Sequence, residues 1–324
     1  MKAITYSKYG NPEVLQLKDV EKPIPGDNEV LVKIYAASVN SWDWDLLRGK
    51  PYLYRLLFGV FKPKHKIIGC DIAGRVEMVG RNVKHFKAGD AVMGDISERW
   101  GGFAEYVCVP KTLLTFKPSD LSFEQAAAIP QAGVLALQSL HDSVTVKAGD
   151  KVLINGAGGG VGTFALQIAK SLGAEVTCVD SFQKLEMLCN LGADHVIDYK
   201  YEDYTEKGFR YNLIIDVVAN RSVYAYKKSL LPNGRLVVIG GTIPCILQVG
   251  LLGSLLSRNE NKKLGILVHE ANKGLDLLLG LIEKGLVKPV IDSKYTLKEV
   301  PIALQRLGDG KAIGKIVIKV CEQD

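Results

Sequence analysis

The clearest hydrophobic pattern in the chain is a short apolar strand, a glycine-rich turn and an amphipathic helix, in that order. The run VLI at residues 152–154 predicts a strand that is covered on both faces. Apolar side chains then recur at helical spacing over residues 161–172, so one face of this helix should pack on a sheet. The glycines between them let the backbone turn sharply and approach a ligand closely. The free N–H groups that open such a helix favour a pyrophosphate, although an ordinary tight turn gives the same spacing.

The residues that follow give this turn the context of a dinucleotide site. A second strand, at residues 175–179, leads into Asp180, roughly twenty residues past the glycines, where a carboxylate can accept both ribose hydroxyls of an adenosine. Further strands at 193–197, 213–218 and 235–239 alternate with helical stretches. This alternation predicts a doubly wound α/β domain with its ligand at the carboxyl ends of the strands. The predicted cofactor-binding residues are Gly156, Gly158, Gly159, Gly160, Val161, Gly162, Asp180, Ser181, Lys184, Val218, Asn220, Gly240, Gly241 and Thr242.

The first 120 residues have the two-residue alternation of half-buried strands instead. The strands at 29–36, 72–79 and 103–109 are separated by glycine-containing turns, which predicts a small β-barrel or sandwich. Between them, residues 40–66 are dense in aromatic side chains that either pack in a core or shape a binding site. The motif SFEQ at 122–125 is a capping box, and it predicts a helix that Pro130 ends or kinks. A closing strand at 316–320 should return to the first domain.

Composition narrows the function classes. A chain of 324 residues has room for two domains, and its net charge of +6 is scattered, which gives no footprint for nucleic acid. Residues 1–10 have no apolar core of a signal peptide. Residues 243–257 carry no charge but are too short to span a bilayer, so they should be buried, face a subunit or line a pocket. The six cysteines and five histidines lack ligand or disulfide spacing, which predicts a cytoplasmic protein with reduced thiols and no metal.

Several ordered motifs together resemble the medium-chain dehydrogenase/reductase superfamily, in its zinc-independent quinone oxidoreductase branch, which includes ζ-crystallin. The motifs are ASVN (37–40), GCDIAG (69–74), GD (89–90), GFAEY (102–106), AAAIP (126–130), the glycine turn (156–162), GADHVIDY (192–199) and GK (314–315). They run over nearly the whole chain and are far more specific than the glycine turn alone.

This resemblance implies a discontinuous catalytic domain with a GroES-like β-barrel, formed by residues 1–122 and 290–324, and an inserted Rossmann domain at 123–289. It implies hydride transfer from NADPH or NADH to quinones or α,β-unsaturated carbonyls, in a homodimer or homotetramer. Asn40 matches the active-site Asn of the family, and its amide N–H₂ can donate to a substrate oxygen. Tyr52, with Tyr54 as a close competitor, matches the family phenol. By the same analogy Lys315 contacts the cofactor, although a solvated lysine at a strand end is an equal alternative.

Departures from the family pattern refine these expectations. Zinc-dependent members place a Cys after the strand that holds Ala37 and a His–Glu pair after a glycine, whereas this chain has NSWD at 40–43 and GCD at 69–71. Cys70 alone cannot make a catalytic zinc site, and residues 93–102 lack the four cysteines of the structural zinc lobe, so we predict a metal-free protein. Asp180 would repel a 2′-phosphate and slightly favours NADH, whereas Lys184 could instead bind that phosphate.

Two other functions compete with this interpretation. A reductase of simple aldehydes or ketones would share the fold, but the missing zinc argues against it. A non-catalytic nucleotide-binding protein would keep the glycine turn without the chemistry, and fold-level analogy does not decide between them.

Overall fold

The structure is a computed structural model that describes residues 1–141, 146–206, 208–256 and 261–321. Contacts divide the chain into two units: the first comprises Met1–Ala132, Ala271–Lys273 and Pro289–Asp324, and the second Gly133–Glu270 and Gly274–Lys288. The domain limits expected from the sequence, at residues 122 and 290, stay a prediction. By contacts, residues 123–132 belong to the first unit.

The strands of the described residues are β1 (Lys2–Thr5), β2 (Gln16–Asp19), β3 (Glu29–Val39), β4 (Asp71–Val79), β5 (Ala91–Asp95), β6 (Tyr106–Pro110), β7 (Thr115–Phe116), β8 (Lys151–Asn155), β9 (Glu175–Asp180), β10 (His195–Asp198), β11 (Tyr211–Asp216), β12 (Leu230–Val238), β13 (Lys263–Ile266), β14 (Ile291–Thr296) and β15 (Lys315–Lys319). The helices are α1 (Ser41–Arg48), α2 (Tyr54–Phe58), α3 (Phe123–Ala127), α4 (Pro130–His141), α5 (Gly160–Ser171), α6 (Phe182–Asn190), α7 (Val223–Lys228), α8 (Ile243–Leu256), α9 (Leu275–Glu283) and α10 (Val300–Gly308).

The first unit is built around the long strand β3, which pairs antiparallel with β4, β6 and β15. Its register places Ser38 opposite Asp71 on β4 and opposite Val317 on β15. Three distant parts of the chain therefore meet at the end of β3, just before α1. Pro130 begins α4 after α3 has ended, as the capping box and the proline predicted.

The second unit contains a six-stranded sheet in the order β10-β9-β8-β11-β12-β13, with every described pair parallel. The predicted doubly wound arrangement is confirmed, and the strand order reverses beside β8, which is where such folds bind ligands. Within β12, residues 231–234 interrupt the pairing with β11: Leu230 lies opposite Tyr211 and Arg235 opposite Leu213, and Asn233 adopts a φ of 62°.

The uncharged stretch predicted at residues 243–257 forms α8, although Ser257 lies outside the described residues. One face of α8 is buried through Cys245, Val249 and Gly253. The opposite face is apolar but exposed. No helix in the described part of the chain has the length and apolar character needed to cross a bilayer.

Candidate functional site

The glycine-rich turn joins β8 to α5 at the carboxyl edge of the parallel sheet. Gly156 has a φ of 80°, a conformation that a side chain disfavours, and its N–H donates to the Val179 carbonyl of β9 at 3.0 Å. A Cβ on Gly162 would lie 2.4 Å from Cα of Ala157, so only glycine allows α5 to approach the turn this closely. The N–H groups of the first helical turn have no acceptors within the helix and are directed at the space above the sheet edge.

Asp180, the last residue of β9, holds the glycine turn. Its side chain is buried, and Oδ2 accepts a 2.8 Å hydrogen bond from the Gly158 N–H. Oδ1 accepts the Ser181 N–H at 2.8 Å. Lys184, on α6, places Nζ 3.4 Å from the same oxygen, and both side chains are largely buried. The carboxylate and the lysine are therefore partners of each other.

The loops after β11 and β12 lie at the same sheet edge. The Val217 N–H donates to the Asn155 carbonyl at 3.0 Å, which ties the β11 loop to the end of β8. The Thr242 N–H donates to the Ala219 carbonyl at 2.8 Å. The predicted residues Val218, Asn220, Gly241 and Thr242 are exposed, and Gly240 is half-buried. All the predicted cofactor residues of the second unit are thus gathered at one edge, and their role in binding stays a prediction.

A buried carboxylate that sequence reasoning missed supports this edge from beneath. Asp216 ends β11 and is fully buried. Its Oδ2 accepts the phenol hydroxyls of Tyr226 at 2.8 Å and Tyr204 at 3.2 Å, and its Oδ1 accepts the Asn155 amide at 2.9 Å and the Val218 N–H at 3.0 Å. Burial raises the pKa of Asp216, and these donors oppose the rise. Asp216 ends an apolar strand, as Asp180 does, so the pattern that identified Asp180 could also have identified Asp216.

In the first unit, Lys315 is the centre of a buried polar cluster. Its side chain is 2% exposed, so the alternative of a solvated lysine at a strand end is wrong. Nζ lies 3.3 Å from Oδ2 of Asp71 and donates a hydrogen bond to Oδ1 of Asn40. The lysine is buried because β15 runs beside β3 and brings residue 315 against the end of that strand. Its expected contact with the cofactor stays a prediction.

Asn40 has both of its amide hydrogens directed at protein acceptors. Nδ2 donates to Oδ2 of Asp71 at 2.9 Å and to Sγ of Cys70 at 3.2 Å. The charges fix this orientation of the amide, because its oxygen faces the Lys315 ammonium and its nitrogen faces the Asp71 carboxylate. The expected donation to a substrate oxygen stays a prediction and would require one of these bonds to open.

Asp43, which lies between Trp42 and Trp44, is fully buried in α1. Oδ2 accepts the Asn40 N–H at 2.8 Å and Oδ1 accepts the Gly69 N–H at 2.9 Å. Burial raises the pKa of Asp43 to about 8, against the effect of these two backbone donors. Asp43 therefore joins the start of α1 to the loop that leads into β4.

The two candidate phenols differ in their surroundings. Tyr52 is 65% exposed, and the guanidinium carbon of Arg55 lies 5.0 Å from its ring centroid. Tyr54 is half-buried in α2, with its ring edge-on to Phe58 at 6.4 Å. Burial raises the pKa of Tyr54, and the nearby Asp45 carboxylate adds to the rise. Tyr52 is thus the more accessible of the two hydroxyls.

The chain matches known protein families in both of its halves and is similar to named relatives. Residues 26–119 match the family described as alcohol dehydrogenase GroES-like domain, and residues 191–318 match that of zinc-binding dehydrogenase. The chain is 32% identical over 332 residues to the chloroplast envelope quinone oxidoreductase homolog of Arabidopsis thaliana, covering 98% of each chain. It is 34% identical over 332 residues to 2-methylene-furan-3-one reductase of Solanum lycopersicum, covering 98% of this chain and 79% of that protein.

A solved structure extends the similarity to the whole fold. The Escherichia coli quinone oxidoreductase complexed with NADPH superposes with a TM-score of 0.84 at 27% identity, covering 98% of this chain and 100% of that one. The chain belongs to the medium-chain dehydrogenase/reductase superfamily. It falls in the quinone oxidoreductase branch and is an oxidoreductase with a GroES-like domain and a Rossmann-like domain. The family and fold class predicted from the motifs are confirmed.

Zinc-dependent members of this superfamily bind their metal in the catalytic domain, and this chain has one group of potential ligands there within its described residues. Atoms of Cys70, Asp71 and Asp95 lie within 4.8 Å of one another and are buried. Sγ of Cys70 accepts amide hydrogens from Asn40 at 3.2 Å and from Gln131 at 3.3 Å. Burial raises the pKa of Cys70 well above its usual range. Burial therefore disfavours the thiolate form of this sulfur, which lies among amide donors.

Proposed function

We propose that the protein is a zinc-independent reductase that transfers hydride from a reduced nicotinamide dinucleotide to quinones or α,β-unsaturated carbonyls. The observation that carries this proposal is the glycine turn joined to Asp180 at the carboxyl edge of the parallel sheet. Family membership supports the reaction class, and the relatives named for quinones and for a methylene-furanone, which is an enone, support the acceptor class.

The residues at this edge fit a dinucleotide. A Cβ at Gly162 would collide with the backbone of the glycine turn, so glycine at this position lets α5 begin close to the turn. The N–H groups at the start of α5 are then accessible to a pyrophosphate. Asp180 is oriented by Gly158 and can accept ribose hydroxyls. The bound dinucleotide would supply the hydride. The residues of the chain hold it, while Val218, Asn220 and the loop at 240–242 lie farther along the same edge.

NADH is the preferred cofactor in this proposal. A 2′-phosphate would bring negative charge beside the Asp180 carboxylate, and two unit charges about 4 Å apart interact with about 4 kcal/mol at an effective dielectric constant of about 20. The Lys184 ammonium lies 3.4 Å from the Asp180 carboxylate and reduces this repulsion, so the preference for NADH is slight. The E. coli relative was solved with NADPH, so the choice is specific to this chain and depends on Asp180.

The buried cluster of the first unit does not fit a catalytic zinc. Zinc requires thiolate, imidazole or carboxylate ligands and an open position. Here Cys70 is held as a thiol, no histidine belongs to the described ligand group, and Lys315 places an ammonium 3.3 Å from Asp71. The charge of Asp71 is therefore already balanced by the chain itself, and we assign no metal to the reaction.

A hydrogen-bond donor must then stabilise the oxygen that becomes negative as hydride arrives. Tyr52 is the first candidate because its hydroxyl is exposed, and Tyr54 is the alternative. Either phenol can donate a proton to an enolate or hydroquinone oxygen, and water can complete the protonation. Asn40 would assist if its amide released one internal hydrogen bond. Otherwise it holds Lys315 and Asp71 in place.

The test follows the absorbance of NADH and NADPH with a quinone, an enone and a simple ketone, each with and without a chelator. We expect turnover of the quinone or the enone, a preference for NADH and no effect of the chelator. Turnover of the ketone alone, abolished by the chelator, would overturn the zinc-independent mechanism. Tight nucleotide binding without turnover of any acceptor would favour the non-catalytic protein. Gly162→Ala provides a variant with a disturbed glycine turn, and an unchanged thermal midpoint would establish that it is folded.

We further propose a homodimer, with a homotetramer as the alternative. The exposed apolar face of α8 presents Ile243, Leu247, Leu251 and Leu255 with exposed fractions of 46%, 55%, 75% and 59%. The adjacent β13 is the last strand in the order of the described sheet. Light scattering after size exclusion should give a dimer for the wild type and a monomer for Leu251→Glu, and a monomeric wild type would refute the assembly. The cytoplasmic location stays a prediction.

A further inference from the structure

A second exposed apolar surface lies in the first unit, at residues 50–66 (KPYLYRLLFGVFKPKHK), named here the basic apolar segment. It places five large apolar side chains in solvent within nine residues. Their exposed fractions are 66% for Leu53, 68% for Leu56, 70% for Leu57, 49% for Val60 and 93% for Phe61. Apolar side chains at this density on a surface indicate a contact site, because single exposed ones are ordinary but clusters are not.

The base of this segment is held firmly by the rest of the unit. The Tyr9 hydroxyl donates to the carbonyl oxygen of Gly59 at 2.6 Å, and the Lys64 N–H donates to the Phe58 carbonyl at 2.7 Å. The Phe58 ring packs edge-on against Trp100 at 6.4 Å. The chain therefore folds back on itself between residues 58 and 64 and carries Phe61 outward on a fixed support.

The charges around these side chains have a single sign. No acidic residue occurs between Asp45 and Asp71, whereas that interval contains Arg48, Lys50, Arg55, Lys62, Lys64 and Lys66. The four lysines are exposed. In the part of the chain that the structure describes, none of the four pairs with an acidic side chain. The segment thus combines exposed apolar side chains, here called its apolar tip, with exposed lysines, here called its cationic rim, on a chain whose remaining charges are mixed.

We propose that the basic apolar segment docks on the surface of an anionic lipid bilayer. Leu57 and Phe61 would enter the boundary between headgroups and acyl chains, while Lys62, Lys64 and Lys66 contact lipid phosphates. This pairing of an apolar tip with a cationic rim matches the two layers of a bilayer surface. The segment would lie on the membrane without crossing it.

Other occupants fit the segment less well. A second copy of the chain in a two-fold contact would bring two identical cationic rims together, and like charges at close range oppose association. A single-stranded nucleic acid would attract the lysines and could stack on Phe61, but Leu53, Leu56 and Leu57 are aliphatic and would give its bases no ring to stack on. The membrane proposal goes beyond the reaction proposed above. The segment also contains Tyr52 and Tyr54, the candidate donors of that reaction, so turnover is measured without vesicles beside binding.

The experiment is co-sedimentation of the full chain with vesicles of phosphatidylcholine alone and of phosphatidylcholine mixed with phosphatidylserine, at low and at high salt. We expect binding only to the mixed vesicles and release at high salt, because salt screens exposed charges. Each cation near an anionic surface contributes roughly fivefold in partitioning, so the triple variant K62Q/K64Q/K66Q should partition about a hundredfold less. Leu57→Ser with Phe61→Ser should lose about tenfold or more.

Matched controls come from the same unit. K18Q/K84Q/K87Q removes three exposed lysines elsewhere, and Ile24→Ser replaces an apolar side chain that is 85% exposed. Both should retain wild-type partitioning. Equal thermal midpoints for all variants would establish that each is folded.

Four results would overturn the proposal. The first two are no binding of the wild type to mixed vesicles and an equal loss of binding in the control variants. The other two are a changed subunit count and a lost quinone turnover in the Leu57/Phe61 variant. An altered subunit count in the Leu57/Phe61 variant would assign the surface to a second copy. Slower turnover of a water-soluble quinone by that variant, in the absence of vesicles, would assign it to the substrate site. Because turnover without vesicles is measured separately, failure of the reaction and failure of docking are distinguishable.

Discussion

The buried pair of Lys315 and Asp71 gives the sharpest test of the structure of the first unit. Asp71 is fully buried, and its Oδ2 is 3.3 Å from Nζ of Lys315. The same oxygen accepts hydrogen bonds from the Ser38 hydroxyl and the Asn40 amide, both at 2.9 Å. Lys315→Met removes the ammonium and keeps a side chain of similar length. The Asp71 carboxylate is then left in the interior without its cation.

The expected cost follows from this burial. Removing one partner of a buried ion pair lowers the free energy of unfolding by about 3–5 kcal/mol, because the remaining charge is neither solvated nor compensated. For a unit of roughly 150–250 residues, each kcal/mol lowers the unfolding midpoint by about 2–4 °C, so Lys315→Met should lower it by roughly 6–20 °C. Calorimetry measures the unfolding midpoint, and urea unfolding monitored by circular dichroism measures the free energy of unfolding.

The pH dependence gives a second readout of the same perturbation. Burial raises the pKa of Asp71, and Lys315 opposes that rise. Without the lysine, the folded-state pKa rises further above the unfolded value of about 3.9. Between those two values the folded state binds a proton that the unfolded state does not, so stability increases as pH falls through that window. The deficit of Lys315→Met should therefore shrink from pH 8 towards pH 5.

The double variant K315M/D71N separates electrostatics from simple loss of packing. It removes both charges, so it should be more stable than the sum of the single variants predicts, by about 2 kcal/mol or more. A coupling energy below about 0.5 kcal/mol would refute the buried pair. A Lys315→Met variant with an unchanged midpoint would do the same.

Four further changes test the remaining features. Asp180→Ala should raise the kcat/KM ratio of NADPH to NADH by about tenfold or more, because a carboxylate beside the 2′-phosphate is removed, and an unchanged ratio would exclude Asp180 as the selector. Tyr52→Phe should lower kcat with an enone by about tenfold or more while Tyr54→Phe leaves it near wild type, and the reverse pattern would identify Tyr54 as the donor. Gly162→Ala should abolish NADH binding in calorimetric titration, since its Cβ would meet backbone at 2.4 Å; wild-type affinity would contradict the fit. Burial raises the pKa of Asp45 to about 6, so this carboxyl should make stability fall by up to roughly 1.4 kcal/mol per pH unit as pH rises from about 4 to 6. Asp45→Asn should remove that contribution in thermal scans, and curves parallel to the wild type would be inconsistent with the shift.

The nucleotide half of the molecule could be predicted because its determinants are local in sequence. Gly156, Gly162 and Asp180 lie within one strand–helix–strand unit, and the pattern of apolar positions fixes which ends of the strands meet. Asp216 escaped prediction because its Tyr204 and Tyr226 partners are ordinary residues between strands and only the fold brings their hydroxyls to it.

The cluster of the first unit could not be predicted in the same way. Lys315 reaches Asn40 across 275 positions of the chain, and the pairing of β15 with β3 that unites them leaves no mark in the local pattern. A lysine near the end of a short strand is ordinarily solvated, so the sequence left the solvated and the buried lysine as equal alternatives. The resemblance to a family pointed to Asn40 and Lys315, but only the pairing of β15 with β3 shows which side chains Lys315 contacts.

The same register bears on the class of acceptor. Reduction of a simple ketone concentrates negative charge on one oxygen and profits most from a Lewis acid. In the zinc-independent mechanism that we propose, no metal is held near Cys70 and Asp71, where Lys315 already balances the charge of Asp71. Nor can Lys315 replace the metal, since its ammonium is 2% exposed and donates to Asn40 and Asp71. A quinone or an enone spreads the incoming charge over a conjugated system, so a phenol or water is a sufficient donor. The proposed acceptors are therefore those whose reduction needs the least stabilisation of negative charge by the site, because the Lys315 ammonium already has its partners.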